Sequence, residues 1–261
     1  MKLTTNQIRS FHNSGFLAVT DPVLDDPEIE RLRTLYDSMF AERAGRADAS
    51  QFDLAGADEY DQPAVISQIL HPHRYCPALR GDYVDIIHHV AQQLLGSGTT
   101  TDVFHAILKP AWRGAPTSWH QDEAYWMPDK LYRSISIWMP LQEVNEKNGC
   151  LWFNNGSHEW EVLEHRSIGN NPTIHRLELV DESVVRDAVA CPLPAGGFTI
   201  HRNRTAHYAG PNVMGTPRRA LVLSSTLPPR PYPAPRRFRW NEQRNTRRKE
   251  HSRGDEDTSY A

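Results

Sequence analysis

The chain has 261 residues, 39% hydrophobic and 23% charged, with a formal net charge of −3. That is the composition of a folded protein and excludes a disordered one. No apolar run approaches the roughly 18–20 residues of a membrane-spanning helix, and MKLTTNQIRSFHNSG has no apolar core of a secretory signal.

Three cysteines, Cys76, Cys150 and Cys191, are odd in number and lack metal-finger spacing. They exclude a disulfide framework and a paired-cysteine zinc site, so the expected setting is reducing and cytoplasmic. Net acidity argues against nucleic acid as the main partner.

Taken in chain order, the first 100 residues read as helical. Thr4-Thr5-Asn6-Gln7 has the form of a capping box, with Ile8 and Phe11 following at helical spacing. Gly15 stops that helix and Phe16–Val19 reads as a short strand. Asp26-Pro27 starts a second helix, whose apolar stripe is Ile29, Leu32, Leu35, Tyr36 and Met39. Residues 43–63 lack periodicity and read as a mobile loop. A third helix is predicted over about 79–95, burying Tyr83, Ile86, Ile87, Val90 and Leu94.

From about 100 to 226 the pattern changes to short strand-like runs separated by Pro, Gly and Asn: Val103–Leu108, Ser134–Met139, Leu151–Phe153, Phe198–His201 and Ala220–Ser224. Many short strands with turn signals predict a β-sandwich or barrel. Helices gathered before the strands argue against a doubly wound sheet. The expected organisation is one domain over 1–229, helical to about 100 with a β core over 100–226. A basic tail follows over 230–261, carrying a local charge of +4 and leaving −7 on the rest. Such a tail is either solvated or folded back on its own domain.

The chemistry concentrates in Ser118-Trp119-His120-Gln121-Asp122-Glu123-Ala124-Tyr125-Trp126. On a strand, His120 and Asp122 point to the same face. They form two corners of the two-histidine, one-carboxylate triad that binds Fe(II) with open positions opposite. Far downstream His207 precedes a Gly-Pro-Asn turn and offers the third ligand, and eleven residues later Arg218 opens a strand. Its planar guanidinium suits a carboxylate held through two parallel hydrogen bonds. Arg218 and Arg219 face opposite sides of that strand, so only one enters a site. Spacing from His207 favours Arg218, whereas the apolar pattern, with Leu221 and Leu223 on the Arg219 side, does not decide.

These residues resemble the phytanoyl-CoA dioxygenase family of iron(II)- and 2-oxoglutarate-dependent oxygenases. The resemblance rests on His120-Gln121-Asp122, His207 and Arg218. TNQIRSFHNSGFLAV, Lys109-Pro110, Asn148–Phe153 and Gly156-Ser157-His158 extend it, so that it covers about 5–226. It departs from the family at Asn154-Asn155, where a proline is usual. The resemblance implies a mainly β fold with flanking helices, a double-stranded β-helix (a cupin-like jelly roll). It implies iron ligation by His120, Asp122 and His207, and a grip by Arg218 on the distal carboxylate of 2-oxoglutarate. Trp138, His105 and Gln68 fall at further co-substrate positions.

Three protein ligands leave three coordination positions, two for 2-oxoglutarate and one for O2. The implied reaction oxidises, in the first instance hydroxylates, an unactivated C–H bond of a small organic molecule such as a secondary metabolite, releasing succinate and CO2. Because Asp122 fills the place where halogenating relatives have a small residue, hydroxylation is preferred to halogenation. Two other readings fit the same pattern: a cupin-type isomerase or hydrolase using zinc or manganese, and a non-catalytic binding module. Substrate choice is expected in loops 43–63, 111–118 and 160–190, and the acidic body disfavours a strongly anionic substrate. Tyr125, Trp126, Trp112 and Trp152 are either pocket walls or packing residues. His71-Pro72-His73 is a competing pair whose proline suits a loop better than a metal-bearing strand.

Overall fold

The structure, a computed structural model, describes residues 1–56 and 62–246. Residues 57–61 of the predicted 43–63 loop and 247–261 of the basic tail lie outside the described residues.

The N-terminal third follows its local signals closely. Helix α1 (Thr5–Ser14) is capped by Thr4 in a complete capping box with Gln7, and Gly15 ends it at φ +83°. Strand β1 (Phe16–Val19) follows. Helix α2 (Asp26–Ala41) is capped by Asp25, not Asp26; the Asp25 side chain accepts from the Glu28 N–H. Asp25 and Asp26 are equally good caps by type, and the extended backbone at Asp25 decides between them. The predicted 43–63 loop contains strand β2 (Gln51–Asp53), which pairs with β3 (Ser67–Leu70). Both are short and mix polar with apolar residues, and it is the adjoining strand β4 that completes their ladder. Helix α3 (Tyr83–Leu95) begins later than the apolar periodicity suggests, because Pro77–Leu79 forms a separate 3-10 turn. Val84 joins its buried face, whereas Ile86 is half-buried.

The β core contains β4 (Thr100–Lys109), β5 (Thr117–His120), β6 (Lys130–Pro140), β7 (Leu151–Asn154) and β8 (His165–Ser167). It continues through β9 (Leu177–Leu179), β10 (Ala188–Cys191), β11 (Phe198–Arg202), β12 (His207–Ala209) and β13 (Arg218–Pro231). Seven strands form one sheet in the order β1-β11-β6-β13-β4-β3-β2, four form a second in the order β10-β7-β12-β5, and β8 pairs with β9. Among the described residues all the strand pairings are antiparallel. This is the jelly roll, mostly β with a few helices outside.

The large sheet is covered on both faces, and strand alternation sorts its residues. Ile135, Ile137 and Met139 of β6 and Leu221 and Leu223 of β13 pack outward in the core built with α1, α2 and α3. Trp138 of β6 and Ala220 and Val222 of β13 face inward, in the core shared with Leu151 and Phe153 of the small sheet. One strand thus carries a helix-packing edge and a site-building edge.

After β13 the chain returns to the body. Helix α4 (Arg239–Gln243) brings Phe238 and Trp240 into a small cluster with Ala124 and Leu177. The Trp240 indole N–H donates to the Ala124 carbonyl at 2.8 Å. Burying each ring stabilises by about 1.5–3 kcal/mol and contributes, with this hydrogen bond, to holding the segment against the domain. Among the described residues no helix is long and apolar enough to cross a membrane.

Gly149 closes the turn before β7 at φ +86°, and a Cβ there would lie 2.6 Å from the Gly210 carbonyl oxygen. Gly156 also has positive φ, +73°, but nothing lies within 4 Å of a Cβ built on it. Gly149→Ala is therefore expected to cost more than 2 kcal/mol in urea unfolding, and Gly156→Ala about 1 kcal/mol. Equal effects would contradict this packing.

Candidate active site

The site forms where β12 meets β5. His207 and His120 stand directly opposite one another in that antiparallel pair, and their ring centroids are 4.1 Å apart. Directly opposed residues bring their Cβ atoms within about 5.5 Å, so this register alone pairs two imidazoles from distant parts of the chain. Asp122 arrives differently from the expectation of strand alternation. β5 ends at His120, and Asp122 opens a short 3-10 turn, Asp122–Tyr125. The turn swings its carboxylate back toward the imidazoles. One ligand atom each from His120, Asp122 and His207 lie within 4.8 Å of one another.

The hydrogen bonds fix which atoms face inward. His120 Nδ1 lies 2.9 Å from the Ser118 carbonyl, and His207 Nδ1 3.0 Å from the Thr205 carbonyl. A carbonyl oxygen only accepts, so each Nδ1 carries the proton and each Nε2 keeps its lone pair. Those Nε2 atoms lie 3.7 and 3.6 Å from Asp122 Oδ1. The other carboxylate oxygen, Oδ2, accepts from the Ser136 hydroxyl at 2.8 Å and meets His201 Nε2 at 3.3 Å. Oδ1 is thereby left for the centre, the arrangement in which outer partners orient metal ligands.

Electrostatics agree with that geometry. Burial, then the neighbouring His201, pushes the His207 pKa down to about 4. Burial, then His207 and Arg176, holds His120 well below its ordinary value. For Asp122 burial acts upward, but His207 and His201 outweigh it and keep the carboxyl well below the usual carboxylate range. Two neutral imidazoles and one carboxylate form the donor set that suits a ferrous ion.

A second layer locks the box. Fully buried Gln121 points away from the centre. Its side chain donates to the Arg204 and Glu161 carbonyls at 2.8 and 3.3 Å and accepts from the Leu163 N–H at 2.8 Å. The Gln121 N–H donates to His165 Nε2 at 3.1 Å. Buried Glu123 pairs with Arg204 and Arg236, both at 3.0 Å, tying the turn to the loop before β12 and to the returning tail. Lys109, from β4, donates to the carbonyls of Ala209 and Gly210 and holds the end of β12.

The triad sits in a cavity of about 1080 Å³. Arg218, 2% exposed, lines it, whereas Arg219 turns outward to Asp37 at 2.6 Å. The Arg218 guanidinium lies 5.3 Å from the centroid of the Trp138 ring. Its Nε and Nη1 are buried without a hydrogen-bond partner, which is the state of a cation built to receive an anion. Gln68 and His105 also line the cavity, as do Tyr125 and Trp126. Trp112 is 73% exposed and Trp152 packs against the core between the sheets, so neither contributes to the cavity wall. His71 lines the cavity from a loop, with Pro72–Arg74 forming a 3-10 turn. Sequence reading missed Ser136, His201 and Arg176, and gave Gln121, though part of the box, no role of its own. For Ser136 a signal existed: Ser134 and Ser136 alternate with isoleucines in β6, marking a polar inner edge.

Residues 11–220 match the family described as Phytanoyl-CoA dioxygenase (PhyH). A protein of Stutzerimonas stutzeri named "Probable alpha-ketoglutarate-dependent hypophosphite dioxygenase" is 29% identical over 167 residues, 61% of this chain and 56% of that relative. The match therefore spans little more than half of that relative's length. The structure of EvdO2 from Micromonospora carbonacea var. aurantiaca is similar at 36% identity and a TM-score of 0.78, covering 92% of this chain and 97% of that one. The same protein complexed with 2-oxoglutarate aligns at 33% identity and a TM-score of 0.76, with the same coverage.

His165 supplies a pH test of the locked box. Burial pushes its pKa from 6.5 down to about 4. As pH falls, the unfolded imidazole takes a proton first, so stability is retained above about 6.5 and lost progressively toward 4. The loss attributable to this residue is about 3 kcal/mol. In urea unfolding, the stability gap between the wild type and His165→Phe is expected to narrow by about that amount from pH 7 to pH 4. A gap independent of pH would contradict the assignment.

Proposed function

The chain belongs to the phytanoyl-CoA dioxygenase family of iron(II)- and 2-oxoglutarate-dependent dioxygenases, and on that premise we propose that it hydroxylates an unactivated C–H bond of a small organic molecule. One observation carries this reading: two neutral imidazoles and Asp122 converge in a cavity that also holds a buried guanidinium lacking partners at two of its nitrogens. The donor set fits ferrous iron, and the unpartnered Arg218 fits the distal carboxylate of 2-oxoglutarate.

His120 Nε2, His207 Nε2 and Asp122 Oδ1 would hold the metal. When bound, iron with 2-oxoglutarate and O2 supplies the oxidising chemistry, in which the co-substrate becomes succinate and CO2 while one oxygen atom enters the substrate C–H bond. The protein's part is placement. Ser136 and His201 keep Asp122 oriented, and Arg218 with Trp138 fixes the co-substrate's far end. Gln68 and His105 border the same space. Tyr125, Trp126 and Phe238 wall the cavity with aromatic surface and limit water. Asp122 occupies the carboxylate position, which supports oxygen transfer over halide transfer. The cavity is far larger than hypophosphite needs, which favours an organic substrate.

In anaerobic titrations, wild-type protein is expected to bind 2-oxoglutarate only with Fe(II), and His207→Ala to lose that binding. Arg218→Gln should weaken it about a hundredfold or more, and outward-facing Arg219→Gln by less than threefold. Unchanged binding in His207→Ala, or equal losses in the two arginine variants, would reject the reading.

A further inference from the structure

Arg176 is the one buried guanidinium of the cavity that the proposed reaction does not use. It is 5% exposed and lies beside the triad. Its Nη2 meets only the His120 ring, at 3.3 Å from Nε2 and 3.5 Å from Nδ1, and its Nε has no partner. Among the described residues it forms no ion pair. Once His120 Nε2 serves a metal, even its contact with that atom ceases to be a hydrogen bond. Asp122, the carboxylate that acts on Arg176 through space, is committed to the metal site, so an anion from outside the chain would stabilise a buried charge in that position.

The backbone around Arg176 is held firmly enough to aim it. Its N–H donates to the Leu54 carbonyl at 3.0 Å. The Leu177 N–H donates to the Tyr125 hydroxyl at 2.8 Å, and Arg244 donates to the His175 carbonyl. The His175 ring stacks on Phe52 with centroids 4.1 Å apart. Three neighbouring residues are therefore fixed from three directions, and the side chain between them is presented to the cavity.

Charge decides what it awaits. Around the triad Arg176 and Arg218 face one carboxylate, Asp122, while Glu242 at the cavity's edge is paired with Arg237 and stays out of this balance. A divalent metal and a dianionic co-substrate cancel each other, so the loaded cavity keeps an excess of one positive charge. A substrate with a single negative charge neutralises it. Phe52, Leu54, Tyr125 and Trp126 make the surrounding wall apolar and aromatic.

We propose that Arg176 is the specificity-determining residue, and that the substrate is a small organic monoanion, a carboxylate on an apolar or aromatic body, whose oxyanion pairs with Arg176 beside the metal. This rests on the oxygenase reading and deepens it. The expectation drawn from net charge disfavours a strongly anionic substrate, and a single carboxylate is compatible with it.

The test uses the full chain loaded anaerobically with Fe(II) and 2-oxoglutarate, with 3-phenylpropionate, its amide and phenyl phosphate as probes. Binding is read by calorimetry and by the chain's intrinsic tryptophan fluorescence, to which the cavity residues Trp126 and Trp138 contribute. 3-Phenylpropionate is expected to bind at least tenfold more tightly than the amide, and Arg176→Gln to weaken it about a hundredfold. Arg176→Lys should fall between, because it keeps the charge but not the planar fork, and it serves if the glutamine variant misfolds. Affinity for 2-oxoglutarate should change less than threefold in both variants. Tighter binding of phenyl phosphate would identify the oxyanion as a phosphate and overturn the carboxylate assignment. The proposal also fails if the amide matches the acid, if no carboxylate binds, or if Arg176→Gln loses 2-oxoglutarate as Arg218→Gln does. Failure of wild-type protein to bind 2-oxoglutarate with Fe(II) would instead reject the underlying oxygenase reading.

Discussion

The site depends on one pairing: His207 of β12 directly opposite His120 of β5. A slip of one residue in that register would turn one imidazole to the other face of the sheet and separate the two. The register is held from both ends. Gln121 and His165 clamp the chain just after His120, and Lys109 grips the carbonyls that end β12. A single device then orients the rings. In His120, His207 and His165 alike, Nδ1 bonds the carbonyl two residues earlier, leaving Nε2 as an acceptor. In two of these residues that acceptor faces the centre, and in the third it receives the backbone N–H inside the box.

The large sheet converts alternation into function because both its faces are buried. In β13, Arg219, Leu221 and Leu223 look toward the helices, while Arg218 and Val222 look into the cavity and Ala220 into the core between the sheets. The helices therefore do more than cover the sheet: Asp37 of α2 takes Arg219 outward and anchors the orientation that aims Arg218 inward. The returning tail acts similarly on the other side. Arg236 reaches Glu123, the residue after Asp122, so the C-terminal segment braces the turn that delivers the carboxylate.

Much of this was legible in the sequence where a local rule governs. The capping box at Thr4, the stop at Gly15 and the apolar stripe of α2 are short-range effects and appear where expected. Strands β2, β3, β8, β9 and β10 were not legible, because each has only three or four residues and is defined by its pairing with another strand and not by a run of its own apolar residues. His120, Asp122, His207 and Arg218, singled out by type and spacing, gather in one cavity. The reason given for Asp122 was incomplete, since a 3-10 turn and not strand alternation presents it. The choice between Arg218 and Arg219 stayed open because apolar residues mark a face as buried without saying what it is buried against. Arg176, on an irregular segment with no motif around it, gave no signal at all.

The account's central claim is that two Nδ1-protonated histidines and Asp122 form one metal centre. Crystals grown anaerobically with ferrous iron, measured for anomalous scattering at the iron edge, test it most directly. The account predicts a single strong peak bonded to His120 Nε2, Asp122 Oδ1 and His207 Nε2. A peak at any other set of side chains, or none at full iron loading, would contradict it.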